Sequence, residues 1–344
     1  MKIVCDNAIP FLEGVFEPYA KVVYKEGPAI GPEDLVDADA LIIRTRTKCN
    51  AALLDGSGVK IIATATIGTD NIDFPYCASR GIKVTNAEGC NSGGVMDYVF
   101  SALYGTASRR SIILEPGDTF GIIGVGHVGR KVEYTARKLG FDVLRCDPPR
   151  AEAEGPEGFC SLEYLLGHSK IVTIHTPLDE NTRGMAGEDF FSAMEPGAFF
   201  INAARGEIVD EAALLHHLPK LGPVIIDTWC NEPDVNPVLL DAVDIATPHI
   251  AGYSYQGKQN GTSAAVRSVA AFFGIDELAD FYPEAEREEL KAITIDVTGR
   301  TQGEIAAMFQ YNYPIFTDDF MFRMTPGNFE KMRSEYKYRR EFYI

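Results

Sequence analysis

The sequence predicts an α/β fold built on parallel sheets, and three observations carry that prediction. The first is a recurrence of short, nearly all-apolar runs separated by stretches of helical pattern, as expected of strands buried on both faces with helices over them. The second is the stretch from Thr119 to Arg150, which reads as strand, tight turn, helix, strand, with Gly124, Gly126 and Gly129 spaced G-x-G-x-x-G at the turn. The third is length: a chain of 344 residues exceeds one comfortable core and suits two or three domains.

Taken in order, the run at 2–5 predicts a first strand, followed by a helix through about Tyr19 and a second strand at 21–24. Runs at 40–43, 59–63 and 82–85 continue the pattern, with Asn50 and Asp73 placed to cap helices between them. Ligands on such sheets bind beyond the carboxyl ends of the strands. Two segments stand there, Arg44-Thr45-Arg46-Thr47-Lys48 and the run from Thr64 to Asp70. A basic loop is more often simply solvated, but its place after a buried strand makes it a candidate anion site. If the loop is extended, Arg44, Arg46 and Lys48 share one face, and Arg44 and Arg46 become candidates for gripping an anionic group. The basic run from Lys331 to Arg340 is the alternative.

A long helix at 91–107 is expected to lead into the glycine-turn domain. There the first Gly takes the turn, the second lets a pyrophosphate approach the backbone, and the third lets helix pack on strand. The helix that opens at His127 and Val128 points its N–H groups at that phosphate. Asp147, ending the second strand, can accept from ribose hydroxyls and repel a 2′-phosphate, which favours NAD over NADP. Arg150 is the one discordant residue, separated from Asp147 by two prolines. A Gly/Pro/Glu-rich segment at 151–158 predicts a solvated loop, and strands are then expected at 171–175, 198–202, 224–227 and 244–247. A helix at 255–273 leads away from this domain and is expected to return to the first. Beyond Gly274, a strand at 291–297, a short helix at 302–309 and a charged helix at 326–340 suggest a small α+β module that packs on another subunit. The domains expected are 1–91 joined by the helix 255–273, then 92–254, then 275–344.

The net charge of −17 argues against nucleic-acid or anionic-membrane partners, so an anionic substrate needs a local basic pocket. Seven scattered cysteines without a C-x-x-C pair fit a reducing compartment, and six histidines without H-E-x-x-H give no reason to expect a metal. Neither a signal core nor a membrane-spanning run is found, so a soluble cytoplasmic protein is expected.

Three segments at strand ends carry residues suited to chemistry. Arg205 in INAARGEIVD has a guanidinium that can grip a carboxylate by two parallel hydrogen bonds. Glu232 in DTWCNEP and His249 in TPHIAGY can form an acid/base pair in which the carboxylate stabilises the imidazolium and fixes the ring. Such a pair takes a hydroxyl proton as hydride leaves for a nicotinamide. Singly, each has an ordinary structural use, as turn residue, surface loop acid or cap. Together on one nucleotide-binding sheet they favour a dehydrogenase.

Through GVGHVG with Asp147, NAARGEIVD, DTWCNEP and TPHIAG, the chain resembles the D-isomer-specific 2-hydroxyacid dehydrogenases. The resemblance implies a Rossmann-like NAD-binding domain, a flavodoxin-like substrate domain and a C-terminal dimerisation domain. It also implies Arg205, Glu232 and His249 as the catalytic set. It further implies NAD contacts from Asp147, Thr176, Asp227 and Gly252, and substrate contacts from Thr45, Thr66 and Tyr253. Thr45 stands where the family commonly has Ser, which keeps the hydroxyl. Closer likenesses in ATATIGTDNID, CDPPR, TIHTPL, HIAGYSYQGK and FEKMRSEYKYRRE imply a small phosphorylated 2-hydroxy acid as substrate and a homodimer. Two alternatives stay open: a dehydrogenase for another 2-hydroxy acid such as 3-phosphoglycerate, and a non-catalytic NAD-sensing protein.

Overall fold

The apolar runs become parallel strands in the computed structural model, which describes every residue from Met1 to Ile344. The chain divides into two units, Met1–Asn91 with Ser254–Lys291, and Ser92–Tyr253 with Ala292–Ile344. In the first unit, β1 (Lys2–Asp6), β2 (Lys21–Lys25), β3 (Ala40–Ile43), β4 (Ile61–Thr64) and β5 (Lys83–Thr85) form an all-parallel sheet in the order β2-β1-β3-β4-β5. Side chains alternate across it. Ile3, Cys5, Ala40, Ile42, Ile61 and Ala63 join one core with Val266 and Val269 of the helix Tyr255–Phe273, while Val4, Leu41, Ile43 and Ile62 join another with Leu35, Leu54 and Cys77.

That long helix has the bounds the sequence predicts. Ser254 accepts the Gly257 N–H at its start, and Gly274 at φ +71° closes it in the left-handed conformation that favours glycine. Gly261 within it lies where a Cβ would come 2.4 Å from the Ala65 carbonyl, so only glycine allows this approach to the end of β4. The helix expected between β1 and Tyr19 does not form; the segment is a series of turns. Pro10, Gly14 at φ +85° and Pro18 interrupt it, and it fills the core instead with buried Leu12 and Phe16.

The second unit holds β6 (Thr119–Ile123), β7 (Asp142–Cys146), β8 (Ile171–Ile174), β9 (Phe199–Asn202), β10 (Val224–Ile226) and β11 (Ile245–Ala246), parallel in the order β11-β10-β9-β8-β6-β7. The helix Ser92–Arg109 is buried almost throughout and packs on this sheet with Phe100 against Phe120.

Two expectations in this unit are corrected. Residues 151–154 are not loop but the end of a helix, Pro148–Glu154, which Asp147 caps by accepting the Arg150 N–H and two prolines open. The helix expected over 326–340 is limited to Phe329–Ser334 after a single 3-10 turn, because Arg339 and Tyr336 are drawn aside onto Asp318. Of residues 275–344, for which a third domain is expected, 275–291 fall in the first unit and 292–344 in the second. Residues 292–344 carry the short parallel pair β12 (Ile293–Thr294) and β13 (Phe342–Tyr343), and the helices Gln302–Asn312 and Ile315–Met324. Their Phe309, Tyr313, Ile315 and Phe342 enter one core of the second unit's sheet and Phe322 and Phe329 the other. A segment too small for a core of its own shares the neighbouring one.

Candidate functional site

The glycine turn between β6 and the helix His127–Lys138 has the geometry its spacing predicts. Gly124 sits at φ +84° with a would-be Cβ 2.8 Å from the Thr176 nitrogen, and a Cβ on Gly129 would meet the Gly124 carbonyl at 2.2 Å. Gly126, the middle glycine, has nothing within 4 Å of its would-be Cβ. Two glycines are demanded by close packing and the third opens on free space, which is the cradle a pyrophosphate needs. Beside it, the Thr176 hydroxyl is buried without a partner, an orphan that suits a ligand contact. Asp147 accepts the Val125 N–H at 2.7 Å through one oxygen and the Arg150 N–H at 3.1 Å through the other, leaving lone pairs for ribose hydroxyls. Arg150, the discordant residue, is engaged: it donates to Glu154 at 2.8 and 2.6 Å and to the Val125 carbonyl at 2.7 Å. It is therefore not aimed at a 2′-phosphate, and these residues fit NAD.

At the ends of β9, β10 and β11 the expected acid/base residues meet. His249 has φ +55° and donates its N–H to the Asp227 carbonyl at 2.7 Å, a conformation fixed by its loop. The loop is held by Asp227, whose buried carboxylate accepts from the Thr247 hydroxyl at 2.6 Å and from the Ile250 and Ala251 N–H groups at 2.9 Å. Burial lifts the Asp227 carboxyl above its ordinary range, against the pull of His249 and these donors. His249 Nδ1 lies 2.7 Å from Glu232 Oε2, and the other Glu232 oxygen accepts the Trp229 N–H at 2.9 Å. Burial opposes the Glu232 charge, yet His249, the Trp229 N–H and Arg333 together hold it below the usual carboxylate range. An ionised Glu232 fixes Nδ1 as the protonated nitrogen and leaves Nε2 to exchange a proton.

Arg205 follows β9, half-buried, with its Nη1 on the neighbouring Ala204 carbonyl at 2.8 Å and no carboxylate paired with it. Gly206 after it packs where a Cβ would fall 2.0 Å from the Trp229 carbonyl carbon, which joins the Arg205 and Glu232 segments at their backbones. Tyr253 stacks edge-on with Tyr336 and Tyr338, at 5.9 and 6.2 Å between centroids. Sequence reasoning did not foresee Arg333, whose guanidinium carbon lies 6.0 Å from the Tyr253 ring centroid and whose charge helps hold Glu232 down; its only trace was the basic composition of the C-terminal run.

In the first unit, Arg44 does not project from an extended segment. The residues after β3 form a turn in which Arg44 donates to the fully buried Asp6 at 2.9 and 3.4 Å, while Thr45, Arg46 and Lys48 are exposed and Thr47 is buried on the Gly27 carbonyl. The shared face expected for Arg44, Arg46 and Lys48 is absent, because Asp6 at the end of the adjacent strand takes the first of them. At the end of β4, the Thr66 hydroxyl lies 2.7 Å from that of Thr64.

Residues 105–251 match the D-isomer specific 2-hydroxyacid dehydrogenase NAD binding domain. The chain is 41% identical to the erythronate-4-phosphate dehydrogenase of Bacteroides fragilis over 99% of its own length and 97% of the relative's. It belongs to the erythronate-4-phosphate dehydrogenases, within the D-isomer-specific 2-hydroxyacid dehydrogenase family. The enzyme of that name from Enterobacter sp. (strain 638) is 38% identical over 99% of this chain and 92% of the relative. Among solved structures, a NAD+-bound 3-phosphoglycerate dehydrogenase of Entamoeba histolytica superposes with a TM-score of 0.67 at 27% identity, covering 83% of this chain and 99% of that one. The chain is an NAD-dependent oxidoreductase. No helix is long and apolar enough to cross a membrane.

Proposed function

We propose that this enzyme oxidises the 2-hydroxyl of 4-phospho-D-erythronate to (R)-3-hydroxy-2-oxo-4-phosphooxybutanoate, a step of pyridoxine 5′-phosphate synthesis. The observation that carries the substrate is the likeness to erythronate-4-phosphate dehydrogenases over 99% of the chain. The Glu232–His249 pair supports the chemistry. In this reading Arg205 pairs with the substrate carboxylate, His249 accepts the hydroxyl proton at Nε2, and Glu232 keeps the resulting imidazolium paired. NAD, when bound, takes up the hydride. Its contacts in this reading are Gly124, Gly126, Gly129, the helix start at His127 and Val128, then Asp147, Thr176, Asp227 and Gly252. Thr45, Thr66 and Tyr253 contact the substrate, and Arg46, exposed on its turn, meets the phosphate. Arg44 supports that turn through Asp6 rather than touching the ligand.

The enzyme works in this reading as a cytoplasmic homodimer. The exposed Phe320, Met321 and Met324 on the helix Ile315–Met324 support such a contact. The test is NADH formation with 4-phosphoerythronate beside unphosphorylated erythronate and 3-phosphoglycerate. Turnover confined to either of the latter two rejects the substrate. His249→Asn is expected to lower kcat by on the order of 10²- to 10⁴-fold while NADH still binds, since the proton acceptor is lost and the glycine turn is untouched. Near-wild-type turnover in that variant removes His249 from the chemistry.

A further inference from the structure

The histidines carry no metal-binding spacing along the chain, yet the fold of the second unit gathers two of them around one carboxylate. His216 and His217 end the helix Glu211–His217, and Glu188 opens the helix Glu188–Ala193. His216 Nδ1 lies 3.1 and 3.3 Å from the two Glu188 oxygens, and His217 Nε2 lies 2.7 Å from Glu188 Oε2. One ligand atom from each of the three residues thus falls within 4.8 Å of the others. Consecutive residues on a helix point about 100° apart and do not ordinarily face one target. Here they do, because His216 uses the nitrogen near its backbone and His217 the far one, with the ring centroids 4.8 Å apart.

The backbones that bring these side chains together are fixed without them. The Ala186 N–H donates to the Ile208 carbonyl and the Asp210 N–H to the Ala186 carbonyl, both at 3.0 Å. Asp210 then caps the histidine helix by accepting the Ala212 and Ala213 N–H groups. At the other end, Lys220 donates to the Phe191 and Ser192 carbonyls at 3.2 and 2.5 Å. Between these ties, Phe190, Phe191, Ala213 and Leu214 are buried in one core.

We infer that Glu188, His216 and His217 form a peripheral site for a zinc-class divalent cation, with water completing the coordination. Two imidazole nitrogens and a carboxylate oxygen are a donor set that zinc takes in three-ligand sites with an open position, at bond lengths of roughly 2.0 to 2.2 Å. A tetrahedral ion at those lengths needs its ligand atoms roughly 3.4 Å apart, so the two nitrogens have at most about 1.4 Å to close. Movement is available, since the His216 side chain is 72% exposed and that of Glu188 59%. His217, 15% exposed with its ring centroid 6.3 Å from that of Phe191, is the fixed member. A neutral imidazole has one N–H and one lone pair, and the tautomer with its N–H turned outward presents the lone pair to a cation in place of a hydrogen bond to Glu188. Nitrogen donors disfavour magnesium and calcium, which take oxygen ligands. The net charge of −17 raises the concentration of cations near the chain. A bound ion ties together the two helices on either side of the Ala186–Val209 pairing. None of these residues belongs to the strand-end site, and zinc binding here does not depend on which acid the enzyme oxidises.

The test is zinc binding to the full chain, stripped with a chelator and titrated with zinc chloride by isothermal calorimetry, beside His216→Ala, Glu188→Ala and His217→Gln. NADH binding and urea unfolding without metal check that each variant is folded. Should His217→Gln fail that check, the two exposed positions decide alone. The wild type is expected to bind zinc, and each folded variant to bind it on the order of 10- to 100-fold more weakly, because losing even an outer partner of a metal ligand costs that much. Mg2+ in about a hundredfold excess is expected to leave the zinc in place. No zinc uptake by the wild type, displacement by Mg2+, or less than about tenfold weakening in either His216→Ala or Glu188→Ala overturns the site. In the last case the zinc sits elsewhere, on a cysteine or at His249.

Discussion

Arg44 and Arg205 each follow a buried parallel strand, β3 in the first unit and β9 in the second, and each has an acid at the end of a neighbouring strand. Asp6 ends β1, which pairs with β3, and Asp227 follows β10, which pairs with β9. Asp6 gives Arg44 both its oxygens. Asp227 gives its oxygens to Thr247 and to the N–H groups of Ile250 and Ala251, and Arg205 is left without a carboxylate. Residue type and place after a strand are therefore not enough to mark a binding arginine. What decides is whether the neighbouring acid is already engaged, and in the second unit the loop that carries His249 engages it. In the proposed reaction, the loop that orients His249 as base also leaves the Arg205 guanidinium available for a substrate carboxylate.

The largest expected effect follows from that contrast. If Arg205 pairs with the substrate carboxylate as proposed, Arg205→Met is expected to lower kcat/KM by on the order of 10²- to 10³-fold with a small change in unfolding free energy, because no internal carboxylate is left without its cation. Steady-state kinetics beside urea unfolding measures both. A large stability loss with modest kinetic change places Arg205 in a structural pair instead. Arg44→Met is expected to behave oppositely. Asp6 is fully buried, and taking away its cation is expected to cost about 3 kcal/mol of stability. Any activity loss should fall equally on phosphorylated and unphosphorylated erythronate. Selective loss on the phosphorylated acid at unchanged stability breaks the comparison and returns Arg44 to the substrate.

Much of this was legible because local signals and tertiary demands agree. The helix Tyr255–Phe273 has its serine cap and its closing glycine in the sequence, and the G-x-G-x-x-G turn has its three glycines for three separable reasons. The pairing of Glu232 with His249 was readable from their places at successive strand ends. Where reading failed, a competing contact lay far away in sequence or composition hid a cap. Asp6 and Arg44 are 38 residues apart, and nothing local to the RTRTK loop announces the pair. The Asp147-Pro148-Pro149 helix start is a proper cap, obscured by the Glu- and Gly-rich residues after it. The helix Ile315–Met324 went unseen because Asp318 and Asp319 interrupt its apolar pattern, yet both turn inward, Asp318 to Arg339 and Asp319 to Arg323 and the Ala246 N–H.

A third acid sharpens the comparison from the side of smallest effect. Asp97, buried in the helix Ser92–Arg109, has neither an arginine nor a full set of neutral donors. One oxygen accepts the Phe342 N–H at 3.0 Å, the other has no partner, and Glu341 stands close by. Burial, then the Glu341 charge, raises its carboxyl well above the ordinary aspartate value, against the Phe342 N–H and Lys131. For an acid whose folded value is raised, the stabilising contribution is complete below the unfolded value of roughly 3.9 and is lost as pH rises towards the folded value. The wild type should therefore lose stability with rising pH over that window. Asp97→Asn keeps an acceptor for Phe342 and cannot ionise, so the variant should match the wild type within about 1 kcal/mol at acid pH and gain on it as pH rises. Urea unfolding of both proteins across the acid-to-neutral range reads the difference directly. A difference that does not change with pH means Asp97 is ionised in the folded protein, and a buried carboxylate with one N–H donor then joins Asp6 as an acid compensated by charge.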